Sequence, residues 1–96
     1  MKPLKFHPEA ESEMMEAAIY YESQQTDLGK RFLSSIQNAL THIQINTMLY
    51  PIVHLDVRKC LSTDFPFNIL FREKKEHIEI VAVMHQHRHP DYWKNR

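Results

Sequence analysis

Pro66-Phe67-Asn68-Ile69-Leu70-Phe71-Arg72 and Ile78-Glu79-Ile80-Val81-Ala82-Val83-Met84-His85-Gln86 flank the charged stretch Glu73-Lys74-Lys75-Glu76-His77, and this pattern decides the fold. In the first run Phe67, Ile69 and Phe71 alternate with Asn68, Leu70 and Arg72. In the second, Ile78, Ile80, Ala82 and Met84 alternate with Glu79, Val81, Val83 and His85. A period of two marks a strand, and so short a connection joins antiparallel neighbours. Regular register puts Leu70 and Arg72, with Val81, Val83 and His85, on the face opposite Phe67, Ile69 and Phe71. Val57 to Leu61 reads as a further strand, after a mixed stretch from Tyr50 to Asp56 in which Pro51 closes the helical region.

Working toward the start of the chain, the spacing changes. Leu28, Phe32, Leu33, Ile36, Leu40 and Ile43 recur at helical intervals, as do Ala10, Met14, Ala17, Ala18 and Tyr21. Gly29, the only glycine, sits beside Asp27 and Leu28, where a turn separates two helices. Leu4-Lys5-Phe6-His7 reads as a short strand that stops at Pro8, and Pro8 suits the first turn of the helix running to about Gln24. Glu9, Glu11 and Glu13 favour the positive end of that helix's dipole, and its glutamates read as a wet face. The expected architecture is α+β, one domain over residues 1–96. An N-terminal strand and a helical hairpin pack on one face of a mostly antiparallel sheet of about four strands, and the other face is less covered.

Ninety-six residues with 43% hydrophobic content suit one modest core. Twelve basic and twelve acidic residues cancel, which excludes the strong field of a nonspecific nucleic-acid binder. Residues 1–48 are net −2 and the remainder net +2, so an anion site belongs to the second half as a local patch. The lone Cys60 rules out an internal disulfide and reads as a small core residue. No apolar run approaches the roughly 20 residues needed to cross a bilayer, and no basic leader with a cleavage site opens the chain. A cytoplasmic location and no membrane partner are expected.

The functional candidates gather at the end of the last strand. His85, His87, Arg88, His89, Tyr92 and Trp93 are side chains that grip phosphate, exchange protons near neutrality or stack on bases. His85-x-His87-x-His89 would project from one strand face and could chelate a metal, but spacing places no carboxylate or cysteine ligand beside it. No metal or other cofactor is expected. Lys59 and Arg58 on one strand and Arg72 on the next add positive charge. Each has a structural alternative: Arg58 and Arg72 fit cross-strand pairs with Asp56, Glu73 or Glu79, His85 fits a half-buried strand position, and Tyr92 and Trp93 fit an apolar clamp that docks the tail.

Phe6-His7-Pro8-Glu9-Ala10-Glu11, Tyr20-Tyr21-Glu22, Gly29 with Phe32, Val57-Arg58-Lys59, Phe65-Pro66-Phe67-Asn68-Ile69, and Ala82-Val83-Met84-His85 with Arg88, Pro90, Tyr92 and Trp93 together resemble the RelE/ParE toxin superfamily. The likeness spans essentially the whole chain in order. It implies a toxin of a type II toxin–antitoxin module, made beside a cognate antitoxin and arresting growth when free of it. ParE-like members inhibit DNA gyrase and are not nucleases; RelE-like members cut messenger RNA on the ribosome without a metal. The opening His7-Pro8-Glu9-Ala10-Glu11 and the ending Val83-Met84-His85-x-x-Arg88 resemble the ParE side, among proteins described as plasmid-stabilisation factors. The ribonuclease alternative would use Arg58 and Arg72 on the phosphate and His85 in proton transfer. Lys59, His87, Arg88, His89, Tyr92 and Trp93 would contribute binding. A third reading is an inactive domain that only binds its antitoxin.

Overall fold

The computed structural model describes residues 1–96. β1 (Leu4–Phe6) leads into α1 (Pro8–Gln24) and α2 (Leu28–Ile45). A 3-10 turn at Thr47–Leu49 then precedes β2 (Ile52–His54), β3 (Val57–Leu61), β4 (Phe67–Glu73) and β5 (Ile78–His85). The sheet order is β1-β5-β4-β3-β2. β1 runs parallel to β5, and the other pairs are antiparallel. The sheet has five strands because Ile52–His54, inside the stretch read from sequence as mixed, pairs with β3. At three residues with Pro51 before it, β2 is too short to show a period.

His7, expected in the first strand, instead caps α1: its Nδ1 accepts the Glu9 backbone N–H at 3.1 Å. Pro8 occupies the first helical turn, where its missing N–H costs nothing, and Glu9 and Glu11 face the helix dipole. Gly29 lies inside α2 rather than in the turn, and the left-handed residue is Asp27 at φ 68°. The glycine serves the approach of the helices. A Cβ there would stand 2.5 Å from the Ala18 carbonyl oxygen and 3.0 Å from Glu22 Cβ. Glu22 also closes the hairpin, accepting the N–H of Asp27 at 2.9 Å and of Gly29 at 3.0 Å, and so meets donors that the start of α2 leaves unpaired.

Phe32, Ile36, Leu40 and Ile43 of α2, with Ala10 and Ala18 of α1, bury against Cys60, Phe67, Ile69, Phe71, Ile78, Ile80 and Val83. A second, smaller core on the opposite face joins Val57, Leu70, Val81, Ala82 and Met84 to Trp93 from the tail. The register of β4 with β5 jumps: Leu70 opposes Ala82 while Phe71 opposes Ile80, leaving Val81 as the extra residue of a β-bulge. Val81 and Ala82 therefore both join the second core, and the alternation restarts one step out of phase. The regular-register expectation is corrected here. Val81 does lie opposite Phe67 and Phe71, but Val83 packs in the helix-side core and His85 stacks on Phe67, with ring centres 5.3 Å apart.

Candidate functional site

The bulge leaves backbone groups of β5 to be met by side chains, because β1 pairs only as far as Ile80. Glu13 of α1 does this from one side: its Oε1 accepts the Val83 N–H at 3.1 Å. Arg96 does it from the other, its Nη1 donating to the Val81 carbonyl at 3.1 Å. The two side chains join as a bidentate pair, Nη1 to Oε1 at 2.9 Å and Nη2 to Oε2 at 3.0 Å, with side-chain exposures of 9% for Arg96 and 11% for Glu13. Glu13 is thus not part of a wet helix face. No spacing rule signals it, since its partner lies 83 residues along the chain. Burial alone would lower the Arg96 pKa, but the Glu13 carboxylate overrides it and the net shift is upward.

Tyr92 packs between two guanidinium groups, with Arg88 3.9 Å and Arg96 5.0 Å from its ring centre. Its hydroxyl is buried without a hydrogen-bond partner. Burial first, then the nearby Glu13 carboxylate, raise its pKa strongly, so the phenol stays protonated and is poorly suited to proton exchange. Trp93 is 3% exposed and forms the outer wall of the second core, edge-on to His54.

The residues named as a possible phosphate-cleaving set are dispersed. Arg58 donates to the Tyr50 carbonyl at 2.7 Å and contacts Met48 Sδ at 3.4 Å, beside the 3-10 turn. Arg72 lies between Asp56 and Glu79, at 3.8 and 3.6 Å, and donates to the Arg96 carbonyl at 3.2 Å. These acidic partners are two of the three that the sequence offered. Strand alternation sets Arg58 and Arg72 on opposite faces of the sheet, and His85 sits at the far end of β4 from both, opposite Phe67. β5 ends at His85, so His87 and His89 lie in turns and do not continue a strand face. His85 Nδ1 accepts the His87 N–H at 3.1 Å, and His89 Nδ1 accepts the Asp91 N–H at 3.2 Å, so both rings serve as turn caps.

Lys59, Arg88 and Lys94 do come together. They border a cavity of about 320 Å³ on the sheet face away from the helices, floored by Asn68, Leu70, Met84 and Trp93. Asp91, which pairs with Lys94 at 2.7 Å, lines the same cavity. On the helix side, Cys60 is buried against Tyr50, and burial pushes its thiol pKa up, away from a nucleophilic role.

A helical hairpin laid across one face of a five-stranded sheet, with a basic tail folded over the other, defines the RelE/ParE class of small toxins. The family described as ParE toxin of type II toxin-antitoxin system, parDE, matches residues 4–90, and the chain belongs to that family. Among solved structures, one described as a chromosomal ParDE TA system from P. aeruginosa is similar, at 19% identity and a TM-score of 0.66. The match covers 88% of this chain and 96% of that one. That likeness bears on the fold. A search of curated proteins found no significant match. No helix is long and apolar enough to cross a membrane.

Proposed function

We propose that this chain is the toxin of a cytoplasmic type II module, arresting growth when free of its antitoxin by binding DNA gyrase as a protein inhibitor and not by cutting RNA. The dispersal of Arg58, Arg72 and His85 carries this reading: a phosphate held between guanidinium groups and an imidazole requires them in one cleft, and here they occupy two faces and two ends of the sheet. A net charge of zero argues in the same direction, since a ribosome-bound nuclease works within a dense phosphate field. Membership of the ParE toxin family supports both the module and the type of target.

Lys59, His87, Arg88 and His89 are the polar tail and strand groups available to a macromolecular partner, whereas Tyr92 and Trp93 hold the tail in shape. The antitoxin has a free sheet edge to use, because β2 is the outer strand and presents Ile52 and Val53, 57% and 43% exposed. The test is induction from a tightly controlled promoter, with mapping of messenger RNA 5′ ends within minutes and a supercoiling assay on the purified chain. Arrest with intact messages and inhibited supercoiling is expected. New cuts inside translated frames would move the assignment to a ribosomal nuclease, and no arrest would make the chain an inactive antitoxin binder.

A further inference from the structure

Between the second half of α1 and the end of β5 lies a cavity of about 290 Å³, on the helix side of the sheet, whose polar groups are largely unengaged. Glu16, on its α1 wall, is exposed and enters no ion pair or hydrogen bond. Tyr20, one turn on, is 60% exposed for so large a ring, and Tyr21 meets it edge-to-face at 5.6 Å. On the strand wall, His85 Nδ1 accepts the His87 N–H, so the neutral ring carries its proton on Nε2, and that donor has no partner. Arg88 stands beside it, its side chain 54% exposed, with Glu13 at 3.9 Å as its only carboxylate. Glu13 also borders the cavity, but Arg96 engages both of its oxygens. Buried Phe67 supplies the apolar base and holds the His85 ring at 5.3 Å.

We infer that this cavity binds a guanine base carrying a 5′-phosphate, as a free mononucleotide. The choice follows from matching each unengaged group to what it holds best. A carboxylate has two acceptor oxygens side by side and takes two parallel N–H donors. Guanine presents such a pair on its Watson–Crick edge, N1–H and the 2-amino group, whereas adenine turns an acceptor there. Glu16 therefore selects guanine. His85 Nε2–H donates to O6 or N7, both acceptors, and Tyr20 offers a ring on which the base stacks. Arg88 then meets the phosphate in a charge-assisted contact. An arginine side chain of a protein partner shows the same two-donor edge as guanine, and Arg88 decides against it. A second guanidinium beside the first is repelled, while a phosphate is drawn in. A single nucleotide needs only this local charge; a polynucleotide would need the extended positive field that the neutral chain lacks.

The test is a titration of the intact, isotope-labelled chain with guanosine 5′-monophosphate, followed at the His85 and Tyr20 ring resonances. Four further probes each change one feature. Inosine 5′-monophosphate lacks the 2-amino group, adenosine 5′-monophosphate turns an acceptor to Glu16, guanosine lacks the phosphate, and a five-residue oligouridylate with guanosine at its centre sets the same base in a strand. Expected are saturable shifts with guanosine 5′-monophosphate, and binding about tenfold weaker or worse with the inosine and adenosine nucleotides and with guanosine. Glu16→Gln should lose the preference for guanine over adenine, and Tyr20→Ala should weaken both purines alike. Both positions are exposed, so the melting midpoints of these variants should stay close to that of the unmodified chain. Equal binding of the guanosine and adenosine nucleotides, a preference that survives in Glu16→Gln, or no shift with any probe at millimolar concentration overturns the proposal. So does tighter binding of the oligonucleotide than of the mononucleotide, which would make a strand the ligand.

Discussion

Glu73 shows how a single polar side chain ties three distant segments together. Its Oε1 accepts the Thr47 hydroxyl at 2.7 Å and its Oε2 accepts the Lys2 ammonium at 2.9 Å, joining the end of β4 to the 3-10 turn and to the start of the chain. The Thr47 hydrogen bond, followed by that of Lys2, holds its pKa below the ordinary value of 4.5. A carboxylate depressed in the folded state stabilises above its unfolded pKa, and the contribution is lost as pH falls through the folded value. Glu73→Gln should therefore lower the urea midpoint near neutrality by a screened amount, at most about 1 kcal/mol. That deficit should shrink as pH falls through the folded-state pKa of Glu73 and vanish below it, where both proteins carry a neutral side chain. A pH-independent deficit would mean that Glu73 acts by shape and not by charge. Sequence alone did not single out this residue except as a possible partner of an arginine, because Lys2 and Thr47 reach it only through the tertiary fold.

At the scale of elements, the bulge in β5 is the feature from which much of the remainder follows. It turns Val83 and His85 toward the helices, gives Val81 and Ala82 to the second core, and opens the backbone that Glu13 and Arg96 fill. A buried pair of this kind is costly to break from one side, because the surviving charge keeps only a longer contact, Arg88 at 3.9 Å from Glu13 or Glu9 at 3.5 Å from Arg96. Glu13→Gln and Arg96→Gln should each lower stability by about 3 kcal/mol or more. The double variant should lose clearly less than the sum, a coupling read from urea denaturation in a double-mutant cycle. Additive losses would show that the two residues act separately on the strand edge. The alternation that identified β4 and β5 was legible to within a residue at most ends, since both strands are long enough to show their period. The bulge was not, because an extra residue leaves the pattern Val81-Ala82-Val83 equally apolar on both faces. β2 was missed for the opposite reason, having too few residues to show any pattern.

Over the whole molecule, the tail converts an open sheet face into a second core. Trp93 lies on Val57, Leu70, Val81, Ala82 and Met84, while Tyr92, Arg88 and Arg96 fasten the adjoining turn to α1. Truncating the indole removes one of the largest apolar contacts there, so Trp93→Ala should cost about 3–5 kcal/mol. It should also expose enough apolar surface to raise binding of a hydrophobic dye under native conditions. A variant of wild-type stability with no added dye binding would show that the tail is not needed to cover the sheet. The same docking explains why so few of the tail's chemically capable groups are free. Tyr92 and Arg96 are engaged inside the fold, Lys94 is paired with Asp91 and Arg88 lies 3.9 Å from Glu13, which leaves Lys59 as the basic group of the cavity without a carboxylate partner.

By itself the sequence determined the order of the two helices and of every strand but β2, the helix-facing surface of β4, the two helical stripes, the neutral overall charge and the membership of the RelE/ParE class. These are local or near-local quantities, carried by periods of two and 3.6 residues and by motifs read in order. Only the tertiary structure decided which charged residues are spent. Glu13 meets Arg96, Arg72 meets Asp56 and Glu79, and Arg58 turns to the Tyr50 carbonyl, separating the basic residues that the linear pattern seemed to gather. The physical reason is that a buried backbone group or charge takes whatever partner the packed chain brings within hydrogen-bond distance, and those distances follow from how the strands pair and, in β5, from a one-residue bulge that leaves no periodic trace.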